Sequence, residues 1–134
     1  MRETDRNQNP IITGVTFDGE PWVEGDVKEV DSCDVDDFTF DDCKGKGDHR
    51  VSAQLAPESF ESGVDEFGRD FSEELIVQHY ATEGIFEFEV RIGELPETRW
   101  VARRSASGQE LRLWFVARDD RGGAALTERR VRVR

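Results

Sequence analysis

The chain has 134 residues, of which 36% are hydrophobic and 36% charged, with a formal net charge of -12. That length suits a single domain with a modest core, and no apolar run approaches the roughly 18 residues of a membrane-spanning helix. The acidic balance repels nucleic acid and anionic membranes, so it argues against both as partners and favours cations or basic protein surfaces.

The charge is unevenly spread. Residues 1–67 carry 18 acids against 6 bases, whereas residues 68–134 carry twelve of each. Within the first half, residues 18–42 hold eleven acids and a single base, Lys28.

In chain order, residues 1–9 read as a polar linker tail, and residues 10–134 as one domain. The segment after Met1 lacks the apolar centre of an export signal. Any signal or lipid anchor is therefore expected to have been removed, and that lost anchor would be the only link to a membrane. Residues 10–17 alternate, with Ile11, Thr13, Val15 and Phe17 on one face of an opening strand. Asp18-Gly19-Glu20-Pro21 is a turn. Residues 22–50 are acidic and poorly periodic and read as a long loop, with a short strand at 37–40. Trp22, Phe38, Phe40 and the two cysteines are its expected anchors, because a loop of this length in a compact domain needs tying down.

Residues 51–56 form a second strand. Residues 57–70 are a polar connection, either plain loop or a short helical turn. Residues 73–82 are a strong strand, with Leu75, Val77, His79 and Ala81 on one face and Ile76 and Tyr80 on the other. Gly84 allows a sharp turn into a strand at 85–90, and residues 99–102 form a short strand. The final strands, 110–118 and 124–133, read as a hairpin closed at Asp119–Gly123, where Gly122 or Gly123 is expected at positive φ. Leu111, Leu113, Phe115 and Ala117 face inward. Leu126 has the opposite parity to Val131 and Val133, and a one-residue bulge near Arg129-Arg130 would bring all three into the core. Six or seven strands with no convincing helix predict an all-β, antiparallel β-sandwich with a long acidic loop.

Cys33 and Cys43 are ten positions apart with no Cys-x-x-Cys spacing, so zinc and thioredoxin-type readings are weak. Two readings remain: two buried free thiols, or a disulfide pinning the acidic loop. The disulfide is the expected one. It would add about 2–3 kcal/mol in the chain-entropy view and place the protein in an oxidising compartment.

The segments Leu75-Ile-Val-Gln-His-Tyr-Ala-Thr-Glu-Gly-Ile-Phe86, Trp100-Val-Ala and Leu113-Trp-Phe-Val-Ala-Arg-Asp-Asp-Arg-Gly-Gly-Ala resemble the immunoglobulin-like, PKD-like and cadherin-like extracellular modules of bacteria. With Asn9-Pro10 and the cysteine-containing acidic loop, the series is also similar to modules of myxobacterial-type lipoproteins. The resemblance covers residues 73–134 and, more weakly, 9–20. His79 stands where that family usually has a core Trp, and Arg103 where it often has Pro. The resemblance implies an immunoglobulin-like sandwich, export to the periplasm, outer membrane or cell surface, and a non-catalytic role in adhesion, spacing or assembly. It carries over no catalytic residue.

Several residues are candidates for more specific chemistry. Asp34, Asp36, Asp37, Asp41 and Asp42 cluster oxygens of the kind calcium takes, but the spacing lacks the central glycine and closing Glu of an EF-hand, and a solvated acidic loop is the simpler reading. Asp119 and Asp120 are turn formers first and calcium ligands second. No other cofactor is expected. His49 and His79 have no second ligand at metal spacing, no Gly-x-Ser-x-Gly elbow occurs, and pairs such as Glu73-Glu74 lack specificity for glycosidase chemistry. Trp22 and Trp114 are candidate sugar-stacking aromatics. Trp114 lies on the outward parity of its strand, where cover by the acidic loop is the plainer expectation. Arg112, Arg118, Arg130, Arg132 and Arg134, with Glu128 among them, share an outward face. An arginine-rich face opposed to the acidic segment 18–42 suits contact with a protein partner or a neighbouring module, including head-to-tail contact between copies. Charges neutralising one another within the fold are the competing expectation.

Overall fold

The structure, a computed structural model, describes residues 10–33, 40–43, 47–57, 62–64, 70–72, 75–119 and 122–134. Its strands are β1 (Ile12–Phe17), β2 (Glu20–Pro21), β3 (Val27–Val30), β4 (His49–Leu55), β5 (Ser62–Val64), β6 (Asp70–Ser72), β7 (Leu75–Ala81), β8 (Ile85–Phe86), β9 (Val90–Ile92), β10 (Thr98–Val101), β11 (Glu110–Asp119) and β12 (Ala124–Val133), with one four-residue helix, α1 (Phe40–Cys43). Two five-stranded sheets form, in the orders β2-β1-β4-β10-β8 and β3-β12-β11-β7-β9, and β5 and β6 pair separately.

The two large sheets pack as a β-sandwich. Alternation decides what each contributes, because successive side chains on a strand point to opposite faces. Val15, Phe17, Val51, Ala53, Phe86 and Trp100 from the first sheet meet Val77, Leu111, Leu113, Phe115, Val131 and Val133 from the second in one buried cluster. Trp22, 1% exposed, closes the flank with edge-to-face contacts to Phe17 and Phe115 at 5.1 and 6.4 Å. It is thus a core anchor and does not offer a ring for sugar stacking.

The β11–β12 hairpin and the inward faces of β7 and β11 are as the sequence predicts, and Gly122 takes φ +95. On β1 only Val15 and Phe17 of the expected face lie inward, Ile11 being 45% exposed and Thr13 exposed. Five further expectations are corrected. β12 keeps unbroken register with β11 from Ala124 to Arg132, with no bulge near Arg129-Arg130. Leu126 therefore points outward at 65% exposure, and Arg129 takes the inward place. The sandwich is not wholly antiparallel, because β3 runs parallel to β12, with Val27 opposite Arg130 and Val30 opposite Val133. Phe40 begins α1 and does not end a strand; residues 37–39 lie outside those described. The connection after β4 contains the β5–β6 hairpin.

The fifth of these concerns the strand expected at 85–90. It divides into β8 in the first sheet and β9 in the second. Thr98 holds the crossover: its buried hydroxyl accepts from the Phe88 amide at 2.9 Å and donates to the Phe88 carbonyl at 3.0 Å. Those bonds satisfy backbone groups that neither sheet pairs at that point.

Candidate functional site

The expected disulfide is present: Cys33 and Cys43 are bonded, with Cα atoms 5.8 Å apart. α1 supplies Cys43 and Phe40, and these pack with Cys33 against Val101 and Ile85. Val101 faces away from the main core, so the bonded segment builds a small second core on the outer face of the first sheet. Trp114 lies on the outer face of the other sheet, so the described part of this segment is not its cover.

The outward face of the second sheet carries apolar side chains on four adjacent strands, with Gln78 and Arg118 bonded to each other among them. Register places Tyr80 beside Trp114, Gln78 beside Val116 and Val90, and Leu126 beside Val116. Tyr80 is 48% exposed, Val90 and Ile92 are each 50% exposed, and Trp114 is half-buried. Arg112, Arg130 and Arg132 lie outward on the same sheet, as the sequence predicts, whereas Arg118 lies outward at the far end of β11, opposite Ile76 and Ala124. Part of that charge is answered locally. Arg112 stands 3.8 Å from Glu128, and Arg130 stands 3.6 Å from Glu110 and 3.9 Å from Glu128. Such exposed pairs hold loosely and contribute little. The acidic and basic segments also meet on the surface of the same molecule, where Arg134 reaches Glu29 and Asp31 at 3.2 Å across the β3–β12 seam.

Of the calcium candidates, Asp34, Asp36, Asp37 and Asp120 and the side chains of Asp41 and Asp42 lie outside those described. Asp119 acts as a turn former: its carboxylate accepts from the Gly123 amide at 2.6 Å, and its own amide donates to the Gly123 carbonyl. Among the described residues no group of three or more metal-ligating side chains comes together.

Both histidines are placed by packing. His49 stacks on Phe17 at 4.7 Å and bonds Asp18 at 2.8 Å. His79, 3% exposed, lies between Phe86 and Phe115. Its Nδ1 meets the Glu89 carbonyl at 3.0 Å, which makes Nδ1 the protonated nitrogen. Burial lowers its pKa from 6.5; the Glu89 carbonyl opposes that shift, the positive charge of Arg91 adds to it, and the Pro96 carbonyl opposes it again. The folded state therefore resists a proton that the unfolded chain accepts. This contribution to stability is full above pH 6.5 and is lost as the pH falls. His79→Leu is expected to flatten the stability–pH curve on the acid side of 6.5, checked by urea denaturation across pH against the parent protein. An unchanged slope would exclude His79 as its source.

Sequence parity overlooked Arg129, although Val131 and Val133 inward imply it. The side chain is 7% exposed. Its Nε donates to the Trp22 carbonyl at 2.7 Å, and Nη1 donates to the Thr127 hydroxyl and to the Glu128 carbonyl. Burial pushes the guanidinium below its ordinary pKa, and the charge of Glu24 opposes that. Arg129 lines a cavity of about 310 Å³ on the sandwich flank. A second cavity, about 330 Å³, lies beside His79 between β7, β8 and β9.

No protein-family model matches the chain, and no curated protein or solved structure matches it.

Proposed function

We propose that the chain is a non-catalytic, exported interaction module that docks through the outward face of its second sheet onto an acidic protein surface, that of a neighbouring copy. One observation carries the reading: Ile76, Tyr80, Val90, Ile92, Trp114 and Leu126 expose apolar surface on one face of four adjacent strands, crossed by the Gln78–Arg118 pair and flanked by Arg112 and Arg130. Contiguous apolar patches with a polar rim mark interaction sites, and Trp, Tyr and Arg are the residues most enriched at them. The complementary surface is on the same molecule. The turn between β2 and β3 exposes Val23 and Val27, at 61% and 40%, among Glu20, Glu24 and Asp26. Contact between two different patches propagates head to tail, as suits a spacing or assembly module. Export rests on the disulfide and on the resemblance to immunoglobulin-like and lipoprotein modules of bacteria.

Sedimentation velocity across protein concentration tests this. Association is expected at low ionic strength, weakened by salt and abolished by Leu126→Lys with Trp114→Ser. A parent protein that stays monomeric at every concentration and salt would overturn self-docking. The side-by-side pair Tyr80 and Trp114 favours a second reading, carbohydrate stacking. Trp22 and Trp100 are sealed at 1% and 0% exposure, so quenching of Trp fluorescence by a polysaccharide would report on Trp114. No quenching across a panel of soluble glucans and peptidoglycan fragments would remove that reading.

A further inference from the structure

We propose that the flank cavity lined by Arg129 is a binding site for a carboxylate that carries a small apolar group. Arg129 is 7% exposed, yet every protein hydrogen bond it makes goes to a neutral oxygen: the Trp22 carbonyl, the Thr127 hydroxyl and the Glu128 carbonyl. Among the described residues, no carboxylate lies within ion-pair distance of it, and Nη2 has no hydrogen-bond partner. Glu24 stands on the cavity wall, solvent-exposed, and acts on Arg129 only through its field. A largely buried charge without a paired counter-ion is costly, and groups perturbed in this way cluster at functional sites. The three bonds to neutral oxygens, made by Nε and Nη1, hold the guanidinium plane fixed and leave Nη2 to meet an incoming anion without further ordering.

The cavity fits that class of ligand. Its volume, about 310 Å³, falls at the small end of ligand pockets. Pro21 and Val23 give it accessible apolar walls beside the single cation, with the buried Val15 and Trp22 behind them. Gly14, also on the wall, sits at a break in the β1–β4 register between Ile12 and Gly14. A Cβ built there meets no atom within 4 Å, so a larger side chain fits at this part of the wall. Register breaks of this kind recur beside sites, because they re-aim the strand locally. The charge of -12 on the whole chain disfavours polyanions such as nucleotides at long range. One buried cation in an apolar pocket selects a monocarboxylate. Two sources share that chemistry: a free branched acid, and the C-terminal carboxylate of a peptide ending in an apolar residue.

The test is titration calorimetry and thermal shift at fixed ionic strength with 3-methylbutanoate, its amide, and N-acetyl-Ala-Val with a free or amidated C-terminus. A saturable response to a free carboxylate is expected, with none to either amide. Gly14→Leu fills the open space without touching Arg129 and is expected to weaken binding by about tenfold or more, as is Arg129→Gln, which removes a charge-assisted bond. Glu24→Gln removes the competing negative charge and is expected to tighten binding several-fold. If Arg129→Gln fails to fold, Gly14→Leu and Glu24→Gln decide the matter. Tighter binding of the peptide acid assigns the site to peptide ends, and tighter binding of the free acid assigns it to small molecules. A response no larger than that to chloride, or equal responses from acid and amide, would overturn the proposal. So would binding unchanged by Gly14→Leu.

Discussion

Gly84→Ala is expected to be among the most destabilising single substitutions in the chain. Gly84 has φ +99, and a Cβ placed on it would lie 2.4 Å from Nε1 and 2.6 Å from Cε2 of Trp100. The indole cannot retreat. It is fully buried, is packed in the main core, and donates from Nε1 to the Glu83 carbonyl at 3.2 Å. The left-handed backbone costs about 1–2 kcal/mol for a residue with a side chain, and overpacking a rigid core adds about 1–3 kcal/mol. Against the roughly 5–15 kcal/mol that a domain has in total, this is a large fraction. The melting temperature should fall by roughly 10 °C or more. Thermal denaturation followed by near-ultraviolet dichroism checks it, and a melting point within a few degrees of the parent would mean that the β7–β8 turn can move off the indole.

The second large effect is expected from the disulfide. Replacing Cys33 and Cys43 by serine reopens a loop with a sequence separation of 10, which costs about 2–3 kcal/mol in the chain-entropy view. It also places two hydroxyls where the sulfurs are 3% and 0% exposed, against Val101 and Phe40. The loss should therefore fall on the outer face of the first sheet. Amide exchange should rise first at β10 and β8, while β11 and β12 stay protected. Intact mass under denaturing conditions provides the control, since the parent should gain two hydrogens on reduction. A double serine variant with unchanged urea midpoint and unchanged exchange at β10 would show that the segment is held by Phe40 alone.

The sandwich was readable wherever burial alternates along a long strand. On β7 and β11, Leu75, Val77, His79, Leu111, Leu113 and Phe115 all lie inward with a period of two, and the closing turn carries its own glycine signal. β3 was not readable by the same means. Val27-Lys28-Glu29-Val30 buries one of its valines fully and leaves the other exposed, so local hydrophobicity says little. Its partner is a distant arginine-rich strand, and the only trace in the sequence is that acids at 29 and 31 match Arg134. The division of 85–90 into β8 and β9 depends on a tertiary clamp from Thr98, which no local window contains. Arg129 was hidden for another reason. A charged residue at an inward position looks like a break in the pattern, and an invented bulge moved it out. Taking the alternation of Val131 and Val133 at face value would have found both Arg129 and the outward Leu126. The apolar outer face needed both readings at once, because its members come from four strands.

The parallel pairing of β3 with β12 has a kinetic consequence. The residues it pairs, Val27 with Arg130 through Val30 with Val133, lie about a hundred positions apart in the chain. Closing so long a loop loses much conformational entropy before any contact repays it, and folds rich in such pairings cross their barrier in milliseconds to seconds. β12 already has β11 as a neighbour across a tight turn, so that hairpin can form early and locally. During synthesis β3 must wait for it, with Glu29 within it and Glu24, Asp26 and Asp31 around it in water, where charge discourages the exposed segment from pairing with the wrong strand. The acidity of the first half of the chain thereby does its work before the fold is complete, keeping an early, partnerless strand soluble until the arginines that receive it have been made.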